Sequence, residues 1–234
     1  MRKYVVEFIG TFFLVLTVCF AVLTNAALAP LAIGAVLAAM VFAGGHISGG
    51  HFNPAVTLAV FLRGRLALRE VGPYMAAQLL GGLVAAVITR YVYTGARADR
   101  FTVSGRELVG AVVVEFLFTF ALAYVVLNVA TSKSHPINSF YGLAIGFLLM
   151  AGAFAVGAAS GGAFNPAVAL GIAITGIAPW SLLLLYVPAT LLGGVAAGYA
   201  FRALNPDDLA AASPTEAPAG AEGARRAASR RRPA

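Results

Sequence analysis

Two Asn-Pro-Ala triplets are the residues of this sequence best suited to binding a small molecule. Asn53-Pro54-Ala55 and Asn165-Pro166-Ala167 lie 112 positions apart. Asparagine is a favoured N-cap, and proline suits the first helical position because its missing N–H would have no partner there. Each triplet therefore predicts a helix start. The side-chain amides of Asn53 and Asn165 could donate to the oxygen of a neutral solute, whose hydrogens the preceding loop carbonyls would accept.

The apolar segments that follow the triplets, 54–62 and 166–175, are too short to cross a membrane. At roughly 1.5 Å per residue, each covers about half of a bilayer's hydrocarbon core. The glycine pairs before them, Gly49-Gly50 and Gly161-Gly162, allow an irregular backbone, which a membrane tolerates only where it is buried or lines a watery cavity. Two such half-helices entering from opposite faces would bring their positive ends together at the midplane and repel cations there. One triplet alone could be an ordinary helix cap, but two in equivalent places favour a pore.

The composition predicts that lipid surrounds most of the chain. Of 234 residues, 60% are hydrophobic and 11% are charged, whereas soluble domains carry about 25% charged residues. Cys19 is the only cysteine, which rules out an intramolecular disulfide. A cleavable signal peptide is the alternative for the first apolar segment, because Arg2-Lys3 precede it and 27–29 could pass for a cleavage site. We expect an all-α membrane protein with six full crossings, at 4–24, 31–45, 74–94, 107–130, 139–157 and 180–201.

An internal repeat organises these segments. Four blocks recur at an offset of 112 residues, and the pair Glu7-Phe8 recurs as Glu115-Phe116 at an offset of 108. Because each half holds three crossings, the second half starts on the opposite side of the membrane, which gives an inverted repeat. We predict a first repeat over 1–106 and a second over 107–202. The recurring blocks are 31–34 with 143–146, 48–50 with 160–162, 52–56 with 164–168, and 79–82 with 191–194.

The positive charges predict the orientation of the chain. When the loops are assigned to alternate sides, twelve of the 16 lysines and arginines fall on one side, which should be cytoplasmic with both termini inside. The net charge of +7 is then explained by the orientation of the chain in the membrane, and no nucleic-acid partner is expected. The segment 203–234 is rich in Ala, Pro and Arg, which predicts a disordered, basic cytoplasmic tail. A plasma-membrane location suits the chain. The twelve are Arg2, Lys3, Arg63, Arg65, Arg69, Lys133, Arg202, Arg225, Arg226, Arg230, Arg231 and Arg232.

The stretch from His51 to Ala59, HFNPAVTLA, resembles the signature of the aquaporin (major intrinsic protein) family, and GHISGGH from Gly45 to His51 extends it. The resemblance covers roughly 4–202. It implies an aquaporin-like bundle of six tilted transmembrane helices and two re-entrant half-helices, with one pore per subunit in a lipid-embedded homotetramer. It also implies passive conduction of water or small uncharged solutes, with ions excluded. Beside the triplets, the expected pore lining is Gly50, His51, Phe52, Gly161 and Ala163.

Glu7 and Glu115 are ionisable groups inside predicted membrane segments, both near the predicted helix starts. Such groups are functional candidates by default, and a proton relay is one reading. In the family, the matching glutamates hold loop amides behind the half-helices, so the resemblance favours a structural brace. His46 is expected to pack in a loop. The pairs Gly81-Gly82 and Gly193-Gly194 predict close helix contacts.

The expected selectivity filter departs from the family pattern. Most members have an arginine directly after the second triplet, where this chain has Val168. Counting from the triplets places the other constriction positions at Ile33, Ala153 and Gly162. These small or apolar residues predict a wider outer constriction without a fixed charge, which would pass solutes of glycerol, urea or metalloid-acid size. The subfamily stays open, because the indications disagree. Ala169 stands where glycerol channels carry an aspartate, and the loop 157–165 is as short as that of water channels. Leu185, in contrast, matches the glycerol type.

Two other functional classes compete with a channel. A membrane enzyme has few residues to use, because the chain has three histidines, one cysteine and nine acidic residues. His46 and His51 are poorly spaced for a metal pair, so we expect no catalytic residue, metal or cofactor. A coupled secondary transporter is the better alternative, since inverted repeats and broken helices are typical of that class too. Its substrate site would need ionisable groups near the midplane.

Overall fold

The protein folds as a bundle of α-helices. The computed structural model describes residues 1–94, 101–135 and 138–209. Within these ranges lie six helices long and apolar enough to cross a membrane, and two short apolar helices, which confirms the predicted arrangement. The long helices are α1 (Arg2–Leu23), α2 (Ala29–Ser48), α4 (Leu68–Val92), α5 (Gly105–Thr131), α6 (Tyr141–Ser160) and α8 (Trp180–Leu204); the short ones are α3 (Pro54–Arg63) and α7 (Pro166–Thr175).

The chain has two halves, α1–α4 and α5–α8, and the short helix of each half packs mainly against the other half. Helix α1 packs on α4 and α5 packs on α8, whereas α3 packs mainly on α8 and α7 mainly on α4. Helices α2 and α6 cross where glycine allows the closest approach. A Cβ atom on Gly34 would lie 2.6 Å from the carbonyl oxygen of Gly146, and one on Gly146 would lie 2.4 Å from that of Gly34. The crossing therefore requires glycine on both helices.

The predicted glycine contacts position the short helices. A Cβ atom on Gly194 would lie 2.3 Å from the carbonyl oxygen of Ala55, and one on Gly82 would lie 2.9 Å from that of Ala167. Gly81 and Gly193 are equally close to backbone atoms of α1 and α5. Because each short helix starts against a glycine of the other half, its first turn is held in close contact with that half.

Two sequence-based boundaries need correction. The predicted disordered tail begins at residue 203, but α8 continues to Leu204, and Pro206–Asp208 form a 3₁₀ helix. Asp208 is buried against Arg63, a partner too distant in sequence to be foreseen. The rest of the predicted tail, 210–234, lies outside the described residues. Glu115 lies well inside α5, which begins at Gly105, and therefore not near a helix start.

Candidate functional site

Both Asn-Pro-Ala triplets start a short helix, as predicted. The asparagine at each N-cap has an extended backbone, and the following proline begins the helix. Asn53 Oδ1 accepts from the Ala55 N–H at 2.8 Å, and Asn165 Oδ1 accepts from the Ala167 N–H at 2.8 Å. Each side chain thus satisfies one of the free amides of its helix start. The cap also turns the Nδ2 group of each asparagine away from its own helix.

The two triplets are joined directly across the middle of the bundle. Asn53 Nδ2 donates to the carbonyl oxygen of Phe164 at 2.9 Å, and Asn165 Nδ2 donates to that of Phe52 at 2.9 Å. The two phenylalanines have φ of +48° and +47°, a left-handed conformation that non-glycine residues rarely adopt. This conformation occurs at the residue whose carbonyl meets the opposite asparagine. One N–H of each asparagine amide is used in this bond, and the second is left for another acceptor.

Glu7 holds the loop that leads into the first triplet. Its Oε1 accepts from the His51 N–H at 3.0 Å and from Ser48 Oγ at 2.7 Å. Its Oε2 accepts from the Phe52 N–H and from Gln78 Nε2, both at 2.7 Å. The carboxylate is fully buried, and four donors compensate for the loss of water. This geometry fits the brace that the sequence suggested.

Glu115 repeats the arrangement in the second half, with fewer partners. It accepts from Ser160 Oγ at 2.8 Å and from the Ala163 and Phe164 N–H groups at 2.9 and 2.6 Å. The position equivalent to Gln78 is Thr190, whose hydroxyl donates within its own helix to Tyr186. The second brace therefore lacks the side-chain amide donor of the first.

The polar side chain of His51 distinguishes the first loop from the second. His51 Nδ1 lies 3.1 Å from Thr57 Oγ1, which also accepts from Gln78 Nε2 at 2.8 Å. The Thr57 hydroxyl lies 3.1 Å from the Asn53 carbonyl, to which it donates. With its hydrogen used there, Thr57 accepts from His51 Nδ1, and Nε2 is the ring nitrogen left for another partner. The equivalent position in the second half is Ala163, so this ring nitrogen has no counterpart there.

A narrow central cavity runs past both triplets. It has a volume of about 20 Å³, enough for about one water at a time. Part of the lining is polar, formed by the two asparagines and the loops before them. The rest is aliphatic and made of residues related by the repeat. The aliphatic pairs are Leu14 with Leu122, Val18 with Val126, Ile33 with Ile145, Leu37 with Leu149, and Val56 with Val168.

Two wider cavities adjoin the central one. The inner cavity, on the side of Lys3 and Arg65, has a volume of about 640 Å³ and shares His51 and Val126 with the central cavity. The outer cavity, on the other side, has about 370 Å³ and shares Val18, Ile33 and Gly162. Through these shared residues the three cavities follow one another in a line, and the central one, at the asparagines, is the smallest.

The structure brings most of the predicted site residues to this line of cavities. His51, Phe52, Ala163 and the filter positions Ile33, Gly162 and Val168 line the central cavity, together with Asn53 and Asn165. Ala153 and Gly161 line the outer cavity. Gly50 is buried behind the first loop, where its N–H donates to Ser48 Oγ at 3.0 Å. Sequence reasoning missed the aliphatic wall, although pairing residues at the repeat offsets would have predicted its two-fold character. Among the described residues no group of His, Cys, Asp or Glu could hold a metal ion.

Comparison with known proteins agrees with this geometry. The model of the family described as "Major intrinsic protein" matches residues 1–201. The chain belongs to the major intrinsic protein family. Aquaporin NIP1-1 of Oryza sativa subsp. japonica is 35% identical over 88% of this chain and 75% of its own length. Nodulin-26 of Glycine max is 34% identical over 89% of this chain and 79% of its own length.

The fold of this major intrinsic protein also matches a solved structure. The aquaglyceroporin from Plasmodium falciparum superposes with a TM-score of 0.74 over 89% of this chain and 99% of that chain, at 22% identity. The comparison confirms the fold of six spans and two half-helices. Membership of the family confirms a multi-pass membrane channel that passes water or small uncharged solutes, and it confirms that the chain is not an enzyme.

Proposed function

We propose that this channel passes neutral solutes larger than water, of glycerol, urea or metalloid-acid size, as well as water. The observation that carries the proposal is the lining of the pathway, because Ile33, Gly162 and Val168 line the central cavity and Ala153 lines the adjoining outer cavity. None of the four carries charge or a hydrogen-bond donor on its side chain. A constriction of this kind selects solutes by their size and by the cost of removing their water, and it has no fixed cation to narrow it.

The central cavity supports this function because its lining combines polar and aliphatic groups. A solute hydroxyl or amide can exchange hydrogen bonds with the asparagine amides, His51 Nε2 and the loop carbonyls. The aliphatic pairs of the lining offer no polar partner, so a solute with a polar part and a short apolar part fits better than a fully hydrated one. Small polyols and undissociated acids have this character.

Ion exclusion is proposed to depend on the asparagine pair. The positive ends of α3 and α7 point at the same place, each equivalent to about half a charge. No charged side chain lines the central cavity among the described residues, so a cation entering it would lose water without gaining a counter-charge. The helix ends and the desolvation cost act together against cations and hydronium.

The membrane context completes the proposal. The long helices expose large apolar side chains such as Phe147, Phe154 and Leu184, which suits contact with lipid or with other subunits. We propose a homotetramer in the plasma membrane with one pore per subunit. The excess of Lys and Arg on the side of the inner cavity supports cytoplasmic termini.

Flux into proteoliposomes tests the proposed selectivity. Vesicles with the purified protein should shrink in an osmotic gradient and then re-swell with glycerol, urea or arsenous acid faster than empty vesicles. Val168→Arg should lower solute flux relative to water by roughly tenfold, because it narrows the constriction and adds charge. Val168→Met, which adds length without charge, is the matched control. A wild-type protein that passes water but none of the three solutes would overturn the wide filter.

The same vesicles distinguish a channel from a coupled transporter. The two buried glutamates that could serve coupling already accept hydrogen bonds from the loops before the short helices. Flux should therefore stay linear in solute concentration and should not respond to an imposed proton or sodium gradient. Accumulation of solute against its own gradient would favour the transporter.

A further inference from the structure

Four leucines line the central cavity and neither of the two wider ones. They form two pairs related by the repeat, and all four side chains are buried. The central cavity is also the smallest of the three, at about 20 Å³ against about 640 and 370 Å³. The leucines therefore lie where the pathway has the least room. They are Leu14 on α1, Leu37 on α2, Leu122 on α5 and Leu149 on α6.

One helical turn away from each leucine, the same helix lines a wider cavity. On three of the helices the residue four positions away reaches the outer cavity, and on α5 it reaches the inner cavity. Because residues four apart lie on the same face of a helix, the leucines mark the level between the two widenings. The neighbouring residues are Val18 after Leu14, Ile33 before Leu37, Ala153 after Leu149 and Val126 after Leu122.

The close crossing of α2 and α6 positions the first pair of leucines. Leu37 and Leu149 each follow by three residues a glycine of that crossing, Gly34 and Gly146. Residues three apart lie one above the other on the same face of a helix. The contact between the two backbones therefore limits how far apart these two side chains can lie.

The glutamate braces position the second pair. Leu14 and Leu122 each follow by seven residues a buried glutamate, Glu7 and Glu115. Seven residues make about two helical turns, so each leucine shares a helix face with the carboxylate that holds a pore loop. The same face of α1 and of α5 thus carries first the brace and then the leucine at the level of the asparagines.

The leucines are the part of the central lining that can yield to a solute. The side chains of Asn53 and Asn165 are each bonded to a loop carbonyl of the opposite half at 2.9 Å. A leucine side chain makes no hydrogen bond and can change its rotamer. A solute wider than water therefore passes by displacing leucine methyl groups, and the volume of these side chains decides how wide it can be.

We propose that the four leucines are specificity-determining residues, which set the size limit of the pore at the level of the asparagines. The proposal rests on the proposed function, because it concerns which neutral solutes pass the same pore. Of the expected filter positions, Ile33 and Gly162 also line the outer cavity, so they lie where the pathway already widens. Selection by size then falls on the leucines, since one carbon group in an apolar wall changes the passage of a solute by about tenfold or more.

Polyol flux into proteoliposomes tests this size limit. Flux of glycerol and of erythritol is measured relative to water flux. Leu149→Ala and the repeat-related Leu37→Ala should each raise erythritol flux by about tenfold, because each removes three carbon groups from the wall. Leu149→Phe should lower glycerol flux by about tenfold. Ile33→Ala, which enlarges the outer filter by a similar volume, should raise erythritol flux less than either leucine variant does.

Leu143→Ala is the matched control, because Leu143 is 45% exposed on α6 and lines none of the three cavities described. Polyol ratios in the leucine variants equal to those of this control would overturn the proposal, and so would a larger effect of Ile33→Ala. Each variant must pass water and elute as the wild type does in size-exclusion chromatography. If the alanine variants fail to fold, Leu149→Val, with a smaller increase, and Leu149→Phe decide.

The same measurements separate this proposal from the proposed function. Wild-type vesicles that pass water but neither polyol would contradict the proposed function. Glycerol flux gained by Leu149→Ala in that case would still support a size limit at the leucines. Glycerol flux in the wild type that no leucine variant alters would leave the proposed function in place and overturn the size limit.

Discussion

At the scale of single residues, each asparagine of the pore performs two different tasks. Its side-chain oxygen caps its own short helix, and its side-chain nitrogen binds the loop of the other half. Aspartate keeps the first task and loses the second, because a carboxylate caps a helix as well as an amide does but cannot donate. This difference allows the two tasks to be separated by substitution.

Asn53→Asp should keep the cap on Ala55 and lose the donor to the Phe164 carbonyl, while placing a negative charge at the narrowest point. Proton or cation leak should rise by at least about tenfold, since that needs only ~1.4 kcal/mol and a unit charge about 4 Å away supplies more at moderate dielectric. A pH-sensitive dye in proteoliposomes measures the leak. Asn128→Asp on α5, outside the three cavities, is the control, and a leak no larger than that of the control would contradict the role of Asn53.

The glutamate braces allow a second test at this scale. Glu115→Gln exchanges an acceptor-only group for one with a single acceptor oxygen, which leaves buried loop donors at Ala163 or Phe164 without a partner. The expected loss is ~2 kcal/mol or more of unfolding free energy, seen as a lower thermal midpoint in detergent. Glu107→Gln, at an exposed position at the start of the same helix, should leave the midpoint unchanged. Equal midpoints in the two variants would argue against the brace.

At the scale of elements, Arg63 at the end of α3 connects three parts of the chain on the inner side. Its guanidinium donates to Thr131 Oγ1 and to the Thr131 carbonyl, both at 2.9 Å, and to Asp208 Oδ2 at 3.2 Å. Its carbon Cζ lies 4.7 Å from the centre of the Phe201 ring. Asp208 in turn accepts from the Lys133 N–H at 2.8 Å. The half-helix, the end of α5 and the segment after α8 are thereby fixed to one another.

Asp208→Asn should destabilise the protein, because Arg63 would keep its buried charge and lose its carboxylate. Removal of one partner from a buried pair costs ~3 kcal/mol, and both side chains of this pair are only 3% exposed. Thermal unfolding in detergent measures the effect. Asp207→Asn, at the exposed neighbouring position, is the control and should change the midpoint little. A midpoint for Asp208→Asn equal to that of the control would show that the pair adds no stability.

The same pair predicts a dependence on pH. Burial raises the pKa of Asp208, but the hydrogen bonds from the Lys133 amide and the Ser132 side chain, with the charge of Arg63, outweigh it and hold the pKa below its ordinary 3.8. A carboxyl whose pKa is lower in the folded protein stabilises it fully above the unfolded value and loses this effect as the pH falls. The midpoint difference between wild type and Asp208→Asn should therefore be constant near neutrality and shrink below about pH 4. A midpoint difference that is as large at pH 2 as it is near neutrality would contradict this assignment.

The sequence predicts these elements well and their cross-connections poorly. The repeat and the hydropathy predict both short helices and their capping asparagines, because these features depend on neighbouring residues. Asp208 was assigned to a disordered tail, since its partner Arg63 is 145 positions away and composition alone favours disorder. Phe101, which lines the outer cavity, was missed for a similar reason, because only its backbone bond to Ile177 after α7 brings it there.

At the scale of the whole molecule, the close crossing of α2 and α6 joins the two halves. Gly146→Ala should force these helices apart, because the added methyl group would lie 2.4 Å from the Gly34 carbonyl oxygen. The expected cost is ~1–3 kcal/mol of stability, with lower water flux per protein. Gly110→Ala on α5, where a Cβ atom meets nothing within 4 Å, should instead keep or slightly raise stability. Thermal midpoints and stopped-flow swelling measure both effects, and unchanged values for Gly146→Ala would contradict the importance of the crossing.

The reciprocal bonds between each asparagine and the opposite phenylalanine carbonyl also bear on how such a conduit could be opened and shut. To widen or narrow the pore at the asparagines, both of these hydrogen bonds would have to break, together with those by which the two glutamates hold the loop amides. The centre of the pore therefore behaves as a rigid constriction of fixed width. Any gating of this channel is therefore expected at the two ends of the pore, where the walls come from separate segments that can move independently.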